Sequence, residues 1–465
     1  MKKGFTLIEL LAVIVILAII ALIATPIVLD IIDDSKNSSR KRSQELYVES
    51  LNQAVARKQL NGEILSDGVY SIKELEATIK GEIPEDGYVY IKDGTVAQYH
   101  LRYKSGVVQY NLNKIELEKD ILSNTDPFSI SAVTLSFDET LEINFYVKKT
   151  EMDKYSDAYI LIENKEKFDS TSPKQEFLKE YSEKGEYYVF TYTAICFEEF
   201  TNEQTVTLIG KSNNVEKKTQ IEYNVSDYIN NIIIKADTSD RSKKILVALV
   251  DFASSTQTLF KYRSDNLVKI KNTENLAYKS SYGILNEEAI NLLNNLDQLS
   301  ADIQNLDNAP EAFSGSIQNY DFAISNSFSI IDAIGYNVAE TKKISGVLYF
   351  SKDSYDRMMA NGVDYNLMTV DSKYVKKIIN INTFEDKYSL ADEGDLYILF
   401  NYRFNLSNAK EQIYRRTYYK DGNSYRYSDV KIVSLAHILK TKLDTVTDET
   451  KKATFTNMAN LIALL

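Results

Sequence analysis

The chain has 465 residues, which is enough for about two to four domains. Its formal net charge of −12 disfavours nucleic-acid binding through a general basic surface. Only one cysteine, Cys196, is present, so an intrachain disulfide is excluded. A low cysteine content does not exclude export of the chain.

The N-terminal segment contains an apolar run that is long enough to cross a bilayer. No polar side chain occurs from Leu10 to Ala24, and ~20 apolar residues suffice for a transmembrane helix. We therefore expect a membrane span over residues 5–29. Lys2 and Lys3 precede this span, so the positive-inside rule predicts a cytoplasmic N-terminus and an exported remainder.

An acidic residue, Glu9, lies at the entrance to the apolar run. A carboxylate within the hydrocarbon costs ~2.5–3.5 kcal/mol at the helix centre and less near an end, and it usually marks function. If the chain were cut after Gly4, Phe5 would carry a new ammonium group. A neighbouring subunit could present that ammonium to Glu9 in the membrane, where a well-formed ion pair is strong. The alternative is an ordinary anchor with an acidic residue at its margin.

Residues 2–10, Lys-Lys-Gly-Phe-Thr-Leu-Ile-Glu-Leu, resemble the class III signal of type IV pilins and pseudopilins. The likeness comprises the cleavage glycine Gly4, the following Phe5 and the acidic Glu9. Pro26 also falls where these proteins commonly kink the helix. The resemblance implies that a prepilin peptidase removes residues 1–4 and methylates the Phe5 amine, and that the helix then packs into a filament core. A cleaved secretory signal fits poorly, because the charged region is very short and no A-x-A-like site follows.

The first helix is expected to continue beyond the membrane. Alanine, leucine, glutamine and lysine dominate up to Leu60, and these residues favour helix. Asn61-Gly62 is a typical stop signal for a helix. We therefore predict an N-terminal pilin helix within residues 5–62, whose second half packs under a globular head.

A small pilin head is predicted over residues 63–120. Ser71 and Glu74 have the spacing of a capping box, which indicates a short helix that ends near Lys80-Gly81. The turn signals Asp93-Gly94 and Ser105-Gly106 then separate three predicted strands. These strands are Tyr88–Lys92, Thr95–Tyr103 and Val107–Leu112. Residues 115–127 are expected to form a linker.

Residues 121–280 are expected to form a β-sandwich-like domain that ends in helices. About seven short alternating segments predict an antiparallel sandwich. A helical pair follows at Val225–Ile234 and Ser239–Leu259. This block resembles a module of Gram-positive anaerobe surface proteins in segments such as Ile143–Val147 and Tyr188–Tyr192. The resemblance implies no catalytic activity.

A second copy of this block is expected over residues 313–465. Val225–Lys244 aligns without gaps to Val433–Lys452, at a spacing of 208 residues. Residues 281–312 between the copies are predicted to be a helical connector that braces the two domains, with pairing to a partner helix as the alternative. The predicted helix runs from Asn286 to Asp307 and carries one apolar stripe, formed by Leu292, Leu293, Leu296, Leu299 and Ile303. The expected fold class is α+β.

No pattern in the chain indicates an enzyme. HExxH, GxSxG, CxxC and P-loop patterns are absent from the sequence. The two histidines, His100 and His437, lie in different predicted domains. We therefore expect no catalytic residues, no cofactor and no metal.

These patterns predict a large minor pilin that is anchored in the cytoplasmic membrane before assembly and lies in a surface pilus afterwards. Its expected partners are other pilin subunits, a prepilin peptidase and a host or surface ligand for the C-terminal domains; nucleic acid is not expected. Two alternatives remain open. The chain could be a pseudopilin of a secretion or DNA-uptake machine, or a membrane-anchored surface protein that never polymerises.

Overall fold

The computed structural model of the chain describes residue 43 and residues 46–465, with internal gaps. The gaps are residues 64, 66–67, 80, 93, 104–105, 111–113, 138–139, 169–173, 213–214, 272–277, 304–318, 325–327, 336–344, 353–354, 356–368, 371–376, 381–388, 393–394, 404–408 and 423. The described residues fall into two compact units. The first unit contains those up to Leu112 and those between Asp356 and Lys377, and the second contains the rest.

The first unit is built on a helix, α1, described over residues 46–60. Tyr47, Leu51 and Val55 recur at helical spacing and are buried, so one face of the helix enters the core. The helix ends at residue 60 as predicted. Gly62 adopts a positive φ of 83°, which glycine tolerates without steric cost.

An antiparallel meander of four strands, sheet 1, completes the core of the first unit in the order β1-β2-β3-β4. The strands are β1 Gly68–Ser71, β2 Asp86–Lys92, β3 Thr95–Tyr103 and β4 Gly106–Tyr110. Val89, Ile91 and Leu101 are fully buried in the same cluster as the helix face. The three predicted strands are present as β2, β3 and β4, and β1 is a strand that the sequence patterns missed. The predicted helix is described only at its C-terminal end, over residues 46–60.

The helix expected to end near Lys80-Gly81 is a single turn, α2 Ile72–Leu75. Ser71 caps it by accepting a hydrogen bond from the backbone of Lys73 at 3.3 Å. Glu76 then adopts a left-handed conformation with φ of 56°. The prediction of a longer helix was wrong because this conformation ends the helical hydrogen-bond pattern after one turn.

The second unit begins with two antiparallel sheets that enclose a common core. Sheet 2 has the order β11-β12-β8-β7-β5, with β6 also paired to β7, and sheet 3 has the order β10-β9-β13-β14. The strands are β5 Ile115–Glu116, β6 Asp120–Ile121, β7 Ile130–Phe137, β8 Leu141–Lys148, β9 Asp157–Asn164, β10 Gln175–Leu178, β11 Ser182–Lys184, β12 Tyr187–Tyr192, β13 Gln204–Ser212 and β14 Val215–Tyr223. The helical turn α3, Lys149–Met152, follows β8. The predicted antiparallel pattern is confirmed here.

The predicted linker over residues 115–127 is not a linker. It contains β5 and β6, which both pair with β7. Such two-residue strands depend on a partner strand that is distant in sequence, so their own residues carry little strand signal.

Two helices follow these sheets, α4 Val225–Ile233 and α5 Asp240–Leu259. Asn224 caps α4 and Ser239 caps α5, each accepting a hydrogen bond from a backbone amide of the first turn. Both predicted helices are therefore present, with ends within a residue of those expected.

A second pair of sheets lies further along the chain. Sheet 4 has the order β15-β16-β20-β19, and sheet 5 has the order β18-β17-β21-β22 with β23 also paired to β21. The strands are β15 Asn319–Ile324, β16 Phe328–Gly335, β17 Gly346–Ser351, β18 Lys377–Asn380, β19 Ser389–Asp392, β20 Asp395–Arg403, β21 Ile413–Asp421, β22 Ser424–Tyr427 and β23 Lys431–Val433.

The two sheet pairs have the same connectivity. Eight consecutive strands of each pair can be lettered a to h, with β7 as strand a of the first pair and β15 as strand a of the second. In both pairs, one sheet then contains the order e-f-b-a and the other has the order d-c-g-h. Each pair is also followed by two helices. The expected internal repeat stays a prediction, and this shared connectivity favours it.

The connector helix, α6, is shorter than predicted and covers only Glu287–Asn294. Asn295 leaves helical geometry, and Ile303 forms a β-bridge with Val430 instead of continuing the helix. The prediction of a helix to Asp307 was wrong because this strand-like pairing competes with the helical pattern. Lys244 of α5 bonds Glu288 of α6 at 2.7 Å.

The last two helices, α7 Leu435–Thr445 and α8 Glu449–Leu464, close the second unit. Helix α8 packs along α5, so the helices that follow the two sheet pairs meet in one core. Asn457 of α8 is fully buried in this contact. Its side chain donates to the Asp251 carbonyl at 3.1 Å and accepts from the Gly283 amide at 2.8 Å.

Replacing Asn457 by alanine is expected to destabilise the second unit by about 2–4 kcal/mol, because two buried backbone groups lose their partners. Chemical unfolding of the detergent-solubilised chain measures the change. Asn294→Ala, at the exposed end of α6, is the matched control and is expected to have little effect. Equal unfolding free energies for the two variants would contradict this assignment.

Candidate functional site

The residues predicted to carry filament chemistry, Gly4, Phe5, Glu9 and Pro26, lie outside the described residues. The membrane span expected over residues 5–29 lies outside them as well. Within the described part of the chain, no helix is both long and apolar enough to cross a bilayer. The described residues also contain no group of three or more His, Cys, Asp or Glu side chains that could hold a metal ion.

The outward face of sheet 3 carries a row of polar side chains across its four strands. Gln175, Glu163, Thr205 and Glu222 lie directly opposite one another on β10, β9, β13 and β14. Gln175 donates to Glu163 at 2.7 Å, and Thr205 donates to Glu222 at 3.0 Å. These paired groups form a hydrogen-bonding ladder on the surface.

An apolar patch lies beside the polar row on the same face. Phe177 is two residues after Gln175 on β10, pairs with Leu161, and is 53% exposed. Its ring centroid lies 6.0 Å from that of Tyr159 on β9. The Lys211 ammonium also lies over the Tyr159 ring, 5.4 Å from its centroid. Phe177 is therefore the accessible ring of this patch.

A cavity of about 660 Å³ opens at the end of the polar row. Its lining residues come from β9, β10, β13 and the segments that flank them: Glu163, Asn164, Lys165, Lys174, Gln175 and Thr205. The backbone amide of Asn164 donates to the Lys174 carbonyl at 2.7 Å. This bond brings Lys174 and Lys165 to one rim of the cavity. Neither Lys165 nor Lys174 forms an ion pair among the described residues. The Glu163 carboxylate belongs to the same lining, so two positive charges and one negative charge face the cavity.

A buried ion pair supports this cavity from inside the unit. Asn164 donates to the Tyr192 hydroxyl at 3.2 Å, and that hydroxyl also accepts from Lys167 at 3.3 Å. The Lys167 ammonium lies 3.0 Å from Glu199, and both side chains are almost fully buried. Burial lowers the pKa of Lys167, but Tyr192 and Glu199 together raise it above its ordinary value. The lysine is therefore charged and holds Asn164 in place through Tyr192.

Glu198, next to this ion pair in sequence, is fully buried. Its contacts with its own backbone and with Thr256 favour the charged carboxylate only weakly against this burial. Burial raises the pKa of Glu198 to about 7. The group is therefore a source of pH-dependent stability rather than part of the exposed face.

The corresponding face of sheet 5 is covered. Its strands β17 and β21 bury residues on both faces, in contrast to the half-exposed alternation of β9. Tyr414 of β21 stacks on Tyr355 at 4.3 Å and donates to Ser300 at 2.9 Å. Of these two faces, only that of sheet 3 is open.

The histidines lie apart from this face. His437 is in α7, where its Nε2 donates to the Asp297 carbonyl at 2.8 Å and its Nδ1 accepts from Ser434 at 2.6 Å. His100 is in β3 of the first unit. The Asp297 contact ties α7 to the segment that follows α6, and the Ser434 contact lies within the N-cap of α7.

Residues 1–25 match the family model of the prokaryotic N-terminal methylation motif. The chain carries a pilin-type N-methylation signal. This match confirms the resemblance of residues 2–10 to the class III signal of type IV pilin-like precursors. No curated protein matches the chain. The resemblance of residues 121–280 to a surface-protein module therefore stays a prediction.

Sequence patterns identified the residues of the methylation signal but not those of the cavity. Lys165, Lys174 and Phe177 belong to segments that meet only through the pairing of β9 with β10. The one local signal was Phe177, an aromatic residue between glutamate and leucine in a short charged segment. Phe177 is exposed because β10 is the edge strand of sheet 3, and the sequence does not reveal that position.

Glu198→Gln is expected to stabilise the chain above pH 7 by about 1–3 kcal/mol and to have little effect near pH 4.5. The folded-state pKa is raised from 4.5 to about 7. As the pH rises between these values, the unfolded chain therefore releases a proton that the folded chain retains. The wild type loses stability over this window and the glutamine variant does not.

Thermal unfolding of both proteins from pH 4.5 to pH 8 tests this expectation. Glu287→Gln is the control, because Glu287 is exposed at the first turn of α6. A constant difference between wild type and Glu198→Gln across the whole range would show that Glu198 does not titrate in this window.

Proposed function

We propose that this chain is a large minor type IV pilin subunit whose second unit makes contacts at the cell surface. The observation that carries the proposal is the methylation signal over residues 1–25. The helix α1 packed on the meander of sheet 1 supports it, because a long helix under an antiparallel sheet is the arrangement expected of a pilin head.

In this proposal the mechanism is assembly rather than catalysis. Lys2 and Lys3 keep the precursor's N-terminus in the cytoplasm. A prepilin peptidase cuts after Gly4 and methylates the Phe5 amine. Glu9 of one subunit then pairs with the Phe5 ammonium of a neighbour, since two opposite charges in a low-dielectric layer attract strongly. The helix leaves the bilayer for a filament core of similar polarity, so its transfer costs little hydrophobic free energy.

The proposed minor position follows from size. The second unit contains most of residues 113–465, and a major subunit would repeat this mass at every step of the filament. A subunit present in few copies, at the tip or sparsely along the shaft, would not add this mass at every step of the filament. The open face of sheet 3 supports a surface-contact role for this unit.

Two other functions remain as alternatives. A pseudopilin would use the same Glu9 chemistry but form only a short filament that spans the envelope. A membrane-anchored surface protein would keep the apolar run and would not depend on Glu9. The net charge of −12 disfavours DNA uptake through a basic surface.

Glu9→Ala is expected to reduce incorporation of the chain into surface fibres by about tenfold or more, because the Phe5 ammonium of a neighbouring subunit loses its partner in the apolar layer. Quantitative immunoblotting of sheared fibres and of membranes measures the ratio. Glu49→Ala is the matched control, since Glu49 is an exposed glutamate on α1. Unchanged incorporation of Glu9→Ala would favour the simple anchor.

A further inference from the structure

The outward face of sheet 3 combines three features that the assembly mechanism does not use. These are the exposed ring of Phe177, the hydrogen-bonding ladder that includes Gln175 and Glu163, and the cavity with Lys165 and Lys174 at its rim. We propose that this face binds a short oligosaccharide that bears a carboxylate. This inference names the ligand class for the proposed surface-contact role, and its biological setting rests on that role.

The ring and the ladder match the two kinds of surface that a sugar presents. A pyranose has C–H groups on its faces and hydroxyl groups at its edge. Phe177 offers an aromatic face to the C–H groups of the sugar, and aromatic rings supply large apolar contact areas. The hydroxyl groups of the sugar would meet hydrogen-bond donors and acceptors spaced one strand apart, on Gln175, Glu163 and Thr205. The cavity of about 660 Å³ is largely open to solvent, so a sugar would lie against the face of the sheet there rather than be enclosed.

The charges on the face favour an acidic sugar. Lys211 and Lys218 are both paired with Glu216, at 3.7 Å and 2.6 Å. Among the described residues Lys165 and Lys174 form no ion pair, and together they outnumber Glu163, the carboxylate in the same cavity lining. A ligand carboxylate between them would form charge-assisted hydrogen bonds, which are stronger than neutral ones. The net charge of −12 would repel a dense polyanion, so the ligand has few charges and is not a nucleic acid.

The backbone beside the two rim lysines is held in one geometry before a ligand arrives. Asn164 joins the Lys174 backbone to the buried Tyr192 hydroxyl, and Lys167 and Glu199 fix that hydroxyl from the core. Groups that are fixed in advance lose less entropy on binding. Among the described residues, the covered face of sheet 5 offers no equivalent of this site.

Isothermal titration of the detergent-solubilised full chain with trigalacturonate and with neutral maltotriose tests this inference. Trigalacturonate is expected to bind about tenfold more tightly than maltotriose, and its affinity is expected to fall with added salt. Lys165→Ala/Lys174→Ala is expected to remove this preference, and Phe177→Ala to weaken both sugars. The control Lys269→Ala/Lys451→Ala changes two exposed lysines elsewhere on the unit and is expected to bind as wild type does.

Absence of trigalacturonate binding would overturn the inference, as would equal affinity for the two sugars or unchanged binding by both face variants. A second measurement, the attachment of fibres to cells with and without the chain, tests the proposed adhesive function independently of sugar binding. If fibres lacking the chain attach poorly while trigalacturonate does not bind, the adhesive role stands and the acidic-sugar site fails. If trigalacturonate binds but fibres lacking the chain attach normally, the site stands and the adhesive role fails.

Discussion

The buried contact between α5 and α8 determines how the second unit is built. Asn457 and Asn460 of α8 bond to backbone groups of α5 and of the segment before α6. Because buried amides must be paired, these bonds fix the two helices in one register. Each helix follows its own sheet pair, so the contact joins both pairs to a common core. The open face of sheet 3 is thereby carried by one large unit rather than by a separate small domain.

The sequence predicted those elements whose signals are local. Asn61-Gly62 marked the end of α1, and the start of α5 was placed within a residue of its cap at Ser239. The errors occurred where a distant partner decides the structure. The short strand β5 forms only because β7 lies beside it, and α6 stops early because Ile303 pairs with Val430. The cavity could not be predicted for the same reason, since its lysines meet through strand pairing.

The two ends of the chain meet different physical demands. The N-terminal signal requires an apolar run with a single carboxylate, because the methylated amine of a neighbour can compensate that charge inside a filament. The second unit has a buried core and, on sheet 3, an open polar surface, which suits the proposed contact with external ligands. In the proposed assembly, the signal within residues 1–25 would place a much larger unit on a filament.

Mass spectrometry of the chain's N-terminal peptide in sheared surface fibres tests the central claim most directly. The account predicts a peptide that begins at Phe5 and carries a methylated amine, recovered from the fibres. A chain that stays in the membrane fraction with Met1 intact would contradict the account, and a simple membrane anchor would then explain the apolar segment. Processed Phe5 found only in membranes would contradict incorporation into a surface pilus and favour the pseudopilin.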